Sequence, residues 1–266
     1  MNGTSAGVAA YANRRKLCVA PVACDTIGAM SDSISYRTLQ RDDYPALTKM
    51  LCDAWHKQTE DINDELGMKL AQIDLEHSLA RTTTAEVAVC DDEVVGVVLG
   101  RIDSQETRMG LNKHHRNVMR IMGPLFFNKS AHKALQEMLD AEKTNRRMID
   151  QAKKEGHAYD GEIILFLVRE DMRGKGIGTH LFNWILDEFK ANDVENYFLY
   201  TDTGCNYSFY EENGMARREE MPMAPRTPQE DKEVHDEADN IDNHLHALMF
   251  DNQVSPANGG VNPLGR

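Results

Sequence analysis

The sequence predicts a single α/β domain in which a mixed sheet of about six or seven strands is flanked by helices. Three features lead there. An apolar run, residues 163–168, passes through Arg169-Glu170-Asp171-Met172 into the turn Arg173-Gly174-Lys175-Gly176-Ile177-Gly178, and apolar residues at helical spacing follow. That is the pattern of a strand, a glycine loop and a helix. Two β-branched runs, 86–90 and 94–100, are joined by Asp91-Asp92-Glu93, a hairpin signal. Ahead of the hairpin lie one alternating stretch and two stretches of helical periodicity.

Taken in order, residues 34–39 alternate like a half-buried strand, and Arg41-Asp42-Asp43-Tyr44-Pro45 supplies capping acids and a proline suited to a helix's first turn. Leu47, Met50, Leu51, Ala54 and Trp55 fall on one face of the helix that follows, and a second helix runs through Leu66, Leu70, Ile73 and Leu79. After the hairpin, residues 104–160 are mostly helical in composition, divided at Gly123-Pro124, with Ser130 as the cap of a second helix carrying Leu135, Met138 and Leu139. This segment is net positive, and its charges read chiefly as solvated helix faces, with His114-His115 on the helix surface. The functional reading is a lid over a substrate or a patch for an anionic partner.

Beyond the glycine turn, Ile177, Leu181, Ile185 and Phe189 recur every fourth residue with Phe182 and Leu186 beside them, so the helix packs back on its strand. Residues 196–202 make the next strand candidate. Residues 216–223 and 244–250 read as two closing strands around an acidic stretch, 229–243, taken as a surface loop or short helix. Residues 1–32 are expected to be a disordered extension, 33–251 the domain with 104–160 inserted in it, and 252–266 a disordered tail. Arg14-Arg15-Lys16 and the apolar residues after it resemble a short signal segment, but Pro21 interrupts the run, and Met30 reads as an ordinary start.

The glycine turn carries chemistry. Closely spaced glycines let the backbone turn tightly and leave N–H groups aimed at whatever sits over the helix start, an anion site. Arg173 and Lys175 add positive charge to a chain whose net charge is −13, so phosphate or pyrophosphate is the expected occupant. A Walker loop is excluded, because Arg169 stands where its first glycine belongs and Gly176 where Ser or Thr should follow Lys175. The dinucleotide pattern starts at Gly174 and Gly176 but meets Thr179 at its third glycine, although Asp202 could imitate its ribose-binding acid.

Arg173, Gly176 and Gly178 in the spacing Arg-x-x-Gly-x-Gly, with Phe209-Tyr210-Glu211-Glu212-Asn213-Gly214-Met215 downstream, resemble the signatures of the GCN5-related N-acetyltransferase (GNAT) superfamily. The resemblance covers about residues 33–250 and implies the GNAT acyl-CoA N-acyltransferase fold, with the helical segment 104–160 as a departure from it. It also implies acetyl-CoA as cosubstrate, with Arg173, Gly174, Lys175, Gly176, Ile177 and Gly178 cradling its pyrophosphate. The backbone of Phe166, Leu167 and Val168 would pair with the pantetheine arm in the gap where two parallel strands splay, and Val168 N–H would polarise the thioester carbonyl. Asn206 would touch the cofactor, and the hydroxyl of Tyr210 would act as acid toward the departing thiolate. Glu162 is the first candidate for the base, with Glu86 and Asp202 behind it.

Composition sets the remaining bounds. The acidic balance argues against general nucleic-acid binding, and no run has membrane-spanning length. Cys18, Cys24, Cys52, Cys90 and Cys205 are odd in number and show neither a disulfide framework nor zinc spacing. His235, His244 and His246 lack partner spacing for a metal, so none is expected. A cytoplasmic N-acetyltransferase acting on a primary amine of a small molecule or peptide, with homodimerisation open to it, is the reading. A non-catalytic CoA-binding or regulatory module on the same fold is its alternative.

Overall fold

The computed structural model of the chain describes residues 33–56, 63–105, 112–223 and 245–253. The extension at 1–32, the acidic stretch 229–243 and the tail from 254 lie outside them. A seven-stranded sheet runs in the order β1-β2-β3-β4-β5-β7-β6. Its strands are β1 (Ile34–Thr38), β2 (Thr84–Cys90), β3 (Glu93–Ile102), β4 (Gly161–Val168), β5 (Tyr197–Asp202), β6 (Ala216–Pro222) and β7 (His246–Asp251). Every neighbouring pair is antiparallel except β4 with β5. This is the mixed sheet that the apolar runs and the hairpin predict.

Helices cover both faces. On one lies α5 (Ile177–Ala191), burying Ile177, Leu181, Phe182, Ile185 and Phe189, the stripe its periodicity predicts. It sits close because β3 has no side chains there: a Cβ on Gly100 would come 2.5 Å from Ile185, and one on Gly96 3.0 Å from Ile177. On the opposite face, α1 (Tyr44–Trp55) and α2 (Asp64–Arg81) set Leu47, Leu51, Leu75 and Leu79 against Val87, Val97 and Leu99.

The segment between β3 and β4 forms α3 (Lys113–Leu125) and α4 (Lys129–Lys154). Helix α3 carries Gly123-Pro124 within its last turn, so the break falls just after that pair. Asn128, whose Oδ1 accepts from the Ala131 amide, caps the start of α4, and Ser130 lies inside it. This pair of helices completes the core. Leu125, Ala131 and Leu135 pack on Leu66, Leu70 and Ile73 of α2, while Met148 and Ala152 pack on Phe198, Ala247 and Met249 of β5 and β7. Nor is His114 on the surface. It is buried, its Nδ1 2.6 Å from Oε2 of buried Glu76, whose Oε1 accepts from Asn117. A buried carboxylate needs such partners, and α3 brings them to α2.

Past β5, fully buried Asp251 accepts from the Tyr159 hydroxyl (2.6 Å) and from Nε and Nη2 of Arg218 (2.7 and 3.0 Å). Removing the cation alone leaves a carboxylate with no counter-charge in a dry site. Arg218→Ala should therefore lower unfolding free energy by about 3–5 kcal/mol, measured by urea denaturation. A loss below about 1 kcal/mol, the size of an exposed ion pair, would show that the cluster is solvated.

Candidate active site

Strands β4 and β5 pair only through Gly161 with Tyr197, Glu162 with Phe198 and Ile163 with Leu199. Beyond that point they part, although β4 stays paired with β3 as far as Val168. The cause lies in β4 itself. Its register against β3 steps from Gly100 with Ile163 to Leu99 with Leu165, so Ile164 is an extra residue, a bulge that bends the strand where β5 leaves it. The wedge so opened holds a cavity of about 440 Å³ lined by both strands, Trp55, Arg173, Gly178, Cys205, Asn206, Phe209 and Tyr210. Phe166 floors it, with its ring centroid 5.6 Å from that of Phe209 and 6.4 Å from that of Tyr210.

One end of the wedge is the glycine turn. Gly174 and Gly176 take φ of +77° and +81°, conformations that L side chains rarely adopt, and a Cβ on either would meet no atom within 4 Å. Gly176 is the N-cap of α5 and offers no side chain to its first turn. Helix geometry leaves the amides of Ile177, Gly178 and Thr179 without helical acceptors, because the first such bond runs from His180 to the Gly176 carbonyl. These donors and the helix dipole lie beside open space at Gly174 and Gly176, and Arg173 lines the wedge next to them, a fit for pyrophosphate. The arm of a CoA thioester has room in the wedge beside Phe166, Leu167 and Val168.

At the far side, α6 (Ser208–Glu212) presents Tyr210. A local cap fixes it: the Met215 amide donates to the Tyr210 carbonyl and the Gly214 amide to that of Glu211, with Gly214 at φ +83°. Burial, then the nearby Cys205 and Asp202, hold the Tyr210 hydroxyl well above the ordinary tyrosine value, so it stays a proton donor. Asn206 lines the same cavity, its Oδ1 accepting from the Ser208 hydroxyl. Thr203, just past the end of β5, ties that strand to β7 through His246.

The acid–base candidates scatter. Glu162, 2% exposed, lines a neighbouring chamber of about 320 Å³, where Nη1 of Arg81 reaches Oε1 at 3.0 Å and Nη1 of Arg101 reaches Oε2 at 2.7 Å. Two guanidiniums thus engage both oxygens. Asp202 lines the same chamber and accepts from the Gly204 amide. Glu86 lines neither cavity. It sits beneath α5, 3.5 Å from Nε2 of His180, whose ring stacks on Tyr36, and burial together with Glu188 pushes its carboxyl up to about 7. The chamber's walls come from α2, α3 and α4, and it shares Trp55, Ile164, Leu165, Tyr200 and Thr201 with the wedge. Sequence reasoning missed His77 and Arg81 on α2, though Asp74, His77, Ser78 and Arg81 follow the spacing of one polar helix stripe.

Residues 133–215 match the family model described as the acetyltransferase (GNAT) family, a span that begins inside α4 and includes β4, the glycine turn, α5, β5 and α6. No curated protein matches the chain. Among solved structures it is similar to a Drosophila melanogaster polyamine N-acetyltransferase, at 11% identity over 84% of this chain and all of that one, with a TM-score of 0.48. It is also similar to an IAA acetyltransferase from Bacillus cereus, at 13% identity over 84% of this chain and all of that one, with a TM-score of 0.41.

Proposed function

We propose that this protein, whose residues 133–215 match the GNAT acetyltransferase family model, moves the acetyl group of acetyl-CoA to a primary amine by direct attack. The carrying observation is the wedge between β4 and β5, which runs from the open amides of the glycine turn to Tyr210. In this reading the turn at 173–178 holds the pyrophosphate. Phe166, Leu167 and Val168 hold the arm, a backbone N–H of Val168 polarises the carbonyl, Asn206 flanks the thiol end, and Tyr210 protonates the leaving sulfur. The amine enters from the chamber, where the two cavities share walls. Glu162 orients Arg81 there and also holds Arg101, since both its oxygens are already engaged.

Helices α3 and α4 wall the chamber, which supports a role for the 104–160 segment in acceptor choice. Their core contacts mean that replacing them with a short turn would strip the domain's apolar face, so selectivity is better tested by point changes. For the site as a whole, acetyl-CoA should be titrated into isotope-labelled protein and followed by amide shifts. We expect the largest shifts at 166–168, 174–179 and 204–210. Shifts confined to other surfaces would refute the assignment.

A further inference from the structure

The chamber holds Asp74, Glu142, Glu162 and Asp202 with His56 and His77, and most of these are committed. Glu162 is held by two arginines, Oδ2 of Asp74 lies 2.6 Å from Nε2 of His56, and Asp202 accepts a backbone amide. Two are not. Among the described residues, neither the side chain of His77 on α2 nor that of Glu142 on α4 makes a hydrogen bond, and both are half-buried. The rest of the wall is apolar, from Ile73, Met122, Leu135, Met138 and Leu139.

We propose that His77 is the proton acceptor of the transfer and that the acceptor is a primary amine borne on an apolar body, an inference that rests on the acetyl-transfer reading above. Apolar walls favour an apolar body and the uncharged form of its amine, whose N–H the carboxylate of Glu142 can accept. Burial, then Arg81, and more weakly His115 from α3, push the imidazole below its ordinary value, against Glu142 from α4 and Asp74 on its own helix. Glu162, Tyr200 and Asp202 complete the polar lining from the sheet. A neutral ring with a free lone pair results at pH 7.

The step balances. The amine lone pair forms the new C–N bond at the acetyl carbon, and the C–S electron pair leaves on sulfur. As the C–N bond forms, the surplus proton on nitrogen becomes acidic and passes to the unprotonated ring nitrogen of His77, while sulfur takes the Tyr210 proton. Exchange with solvent then discharges the imidazolium and restores the phenol, leaving amide and free thiol.

The test uses phenethylamine as acceptor, spermidine as a hydrophilic comparison, and the full-length protein. His77→Gln should lower kcat with phenethylamine by roughly 10²- to 10⁴-fold and leave CoA affinity unchanged. The wild-type kcat profile should fall on the acid side only below pH 6.5, and the variant should lose that limb. Independently of activity, the His77 ring of wild-type protein, followed by NMR in the absence of CoA, should titrate with a midpoint below about 6.5, a reading that holds even if the variant misfolds. A midpoint above 7, or a full-rate His77→Gln enzyme, overturns the base assignment. Acetylation of spermidine with none of phenethylamine overturns the acceptor class. Tight CoA binding with no amine acetylated is a separate result, in which the acetyl-transfer reading itself fails.

Discussion

Tyr210→Phe should bind CoA as the wild type does and turn over roughly ten- to thousand-fold more slowly, the usual loss for one positioned acid–base group. The substitution isolates the hydroxyl because the ring is clamped independently of it. Ring centroids of Phe166, Phe182, Phe209 and Phe250 lie 6.4, 6.3, 5.7 and 5.8 Å away, and Phe keeps each contact. Among the described residues the hydroxyl has no hydrogen-bond partner to lose, so stability should barely change. Its remaining property is that burial keeps it protonated, as the proposed transfer requires of the group that meets the leaving sulfur. Steady-state kinetics with calorimetric CoA titration make the check. A full-rate variant would mean that water or another side chain protonates the sulfur.

The second large effect belongs to the glycine turn. Gly176→Val puts a β-branched side chain where φ is +81° and where the anion must approach the α5 amides. Strain should cost about 1–2 kcal/mol of stability, and CoA affinity should fall at least tenfold because the pyrophosphate can no longer reach the donors. Gly178→Ala is the matched control. Its φ is not positive, and its Cβ would rest 3.6 Å from Phe166 and 3.9 Å from Val168, ordinary contacts. That variant should fold and bind. Calorimetry on both variants, each checked by thermal melting, decides. Unchanged affinity in a folded Gly176→Val protein would remove the pyrophosphate assignment.

These predictions draw on the part of the chain most legible in sequence. Strand β4, the turn and α5 are contiguous, and their apolar period and glycines are local signals that survive without knowledge of the fold. The bulge at Ile164 was hidden, because a continuous apolar run gives no sign of which residue is extra, and both Ile164 and Leu165 pack on the α1 and α2 side. Glu162 was placed correctly on its strand. That its oxygens are engaged depends on Arg81 and Arg101, which the topology alone brings to it. His114 was expected at the surface because nothing local links it to Glu76 on another helix. The 104–160 segment read as an addition since its apolar faces have no visible partner until α2, β5 and β7 are in place.

The central claim is chemical transfer at the wedge, and free-thiol release from acetyl-CoA across a panel of primary amines tests it most directly. The account predicts release that depends on both protein and amine, saturates with acetyl-CoA, and is fastest with amines on apolar bodies. Tight CoA binding with no amine-dependent thiol release from any member of a broad panel would contradict it, and would make the wedge the site of a non-catalytic CoA-binding module.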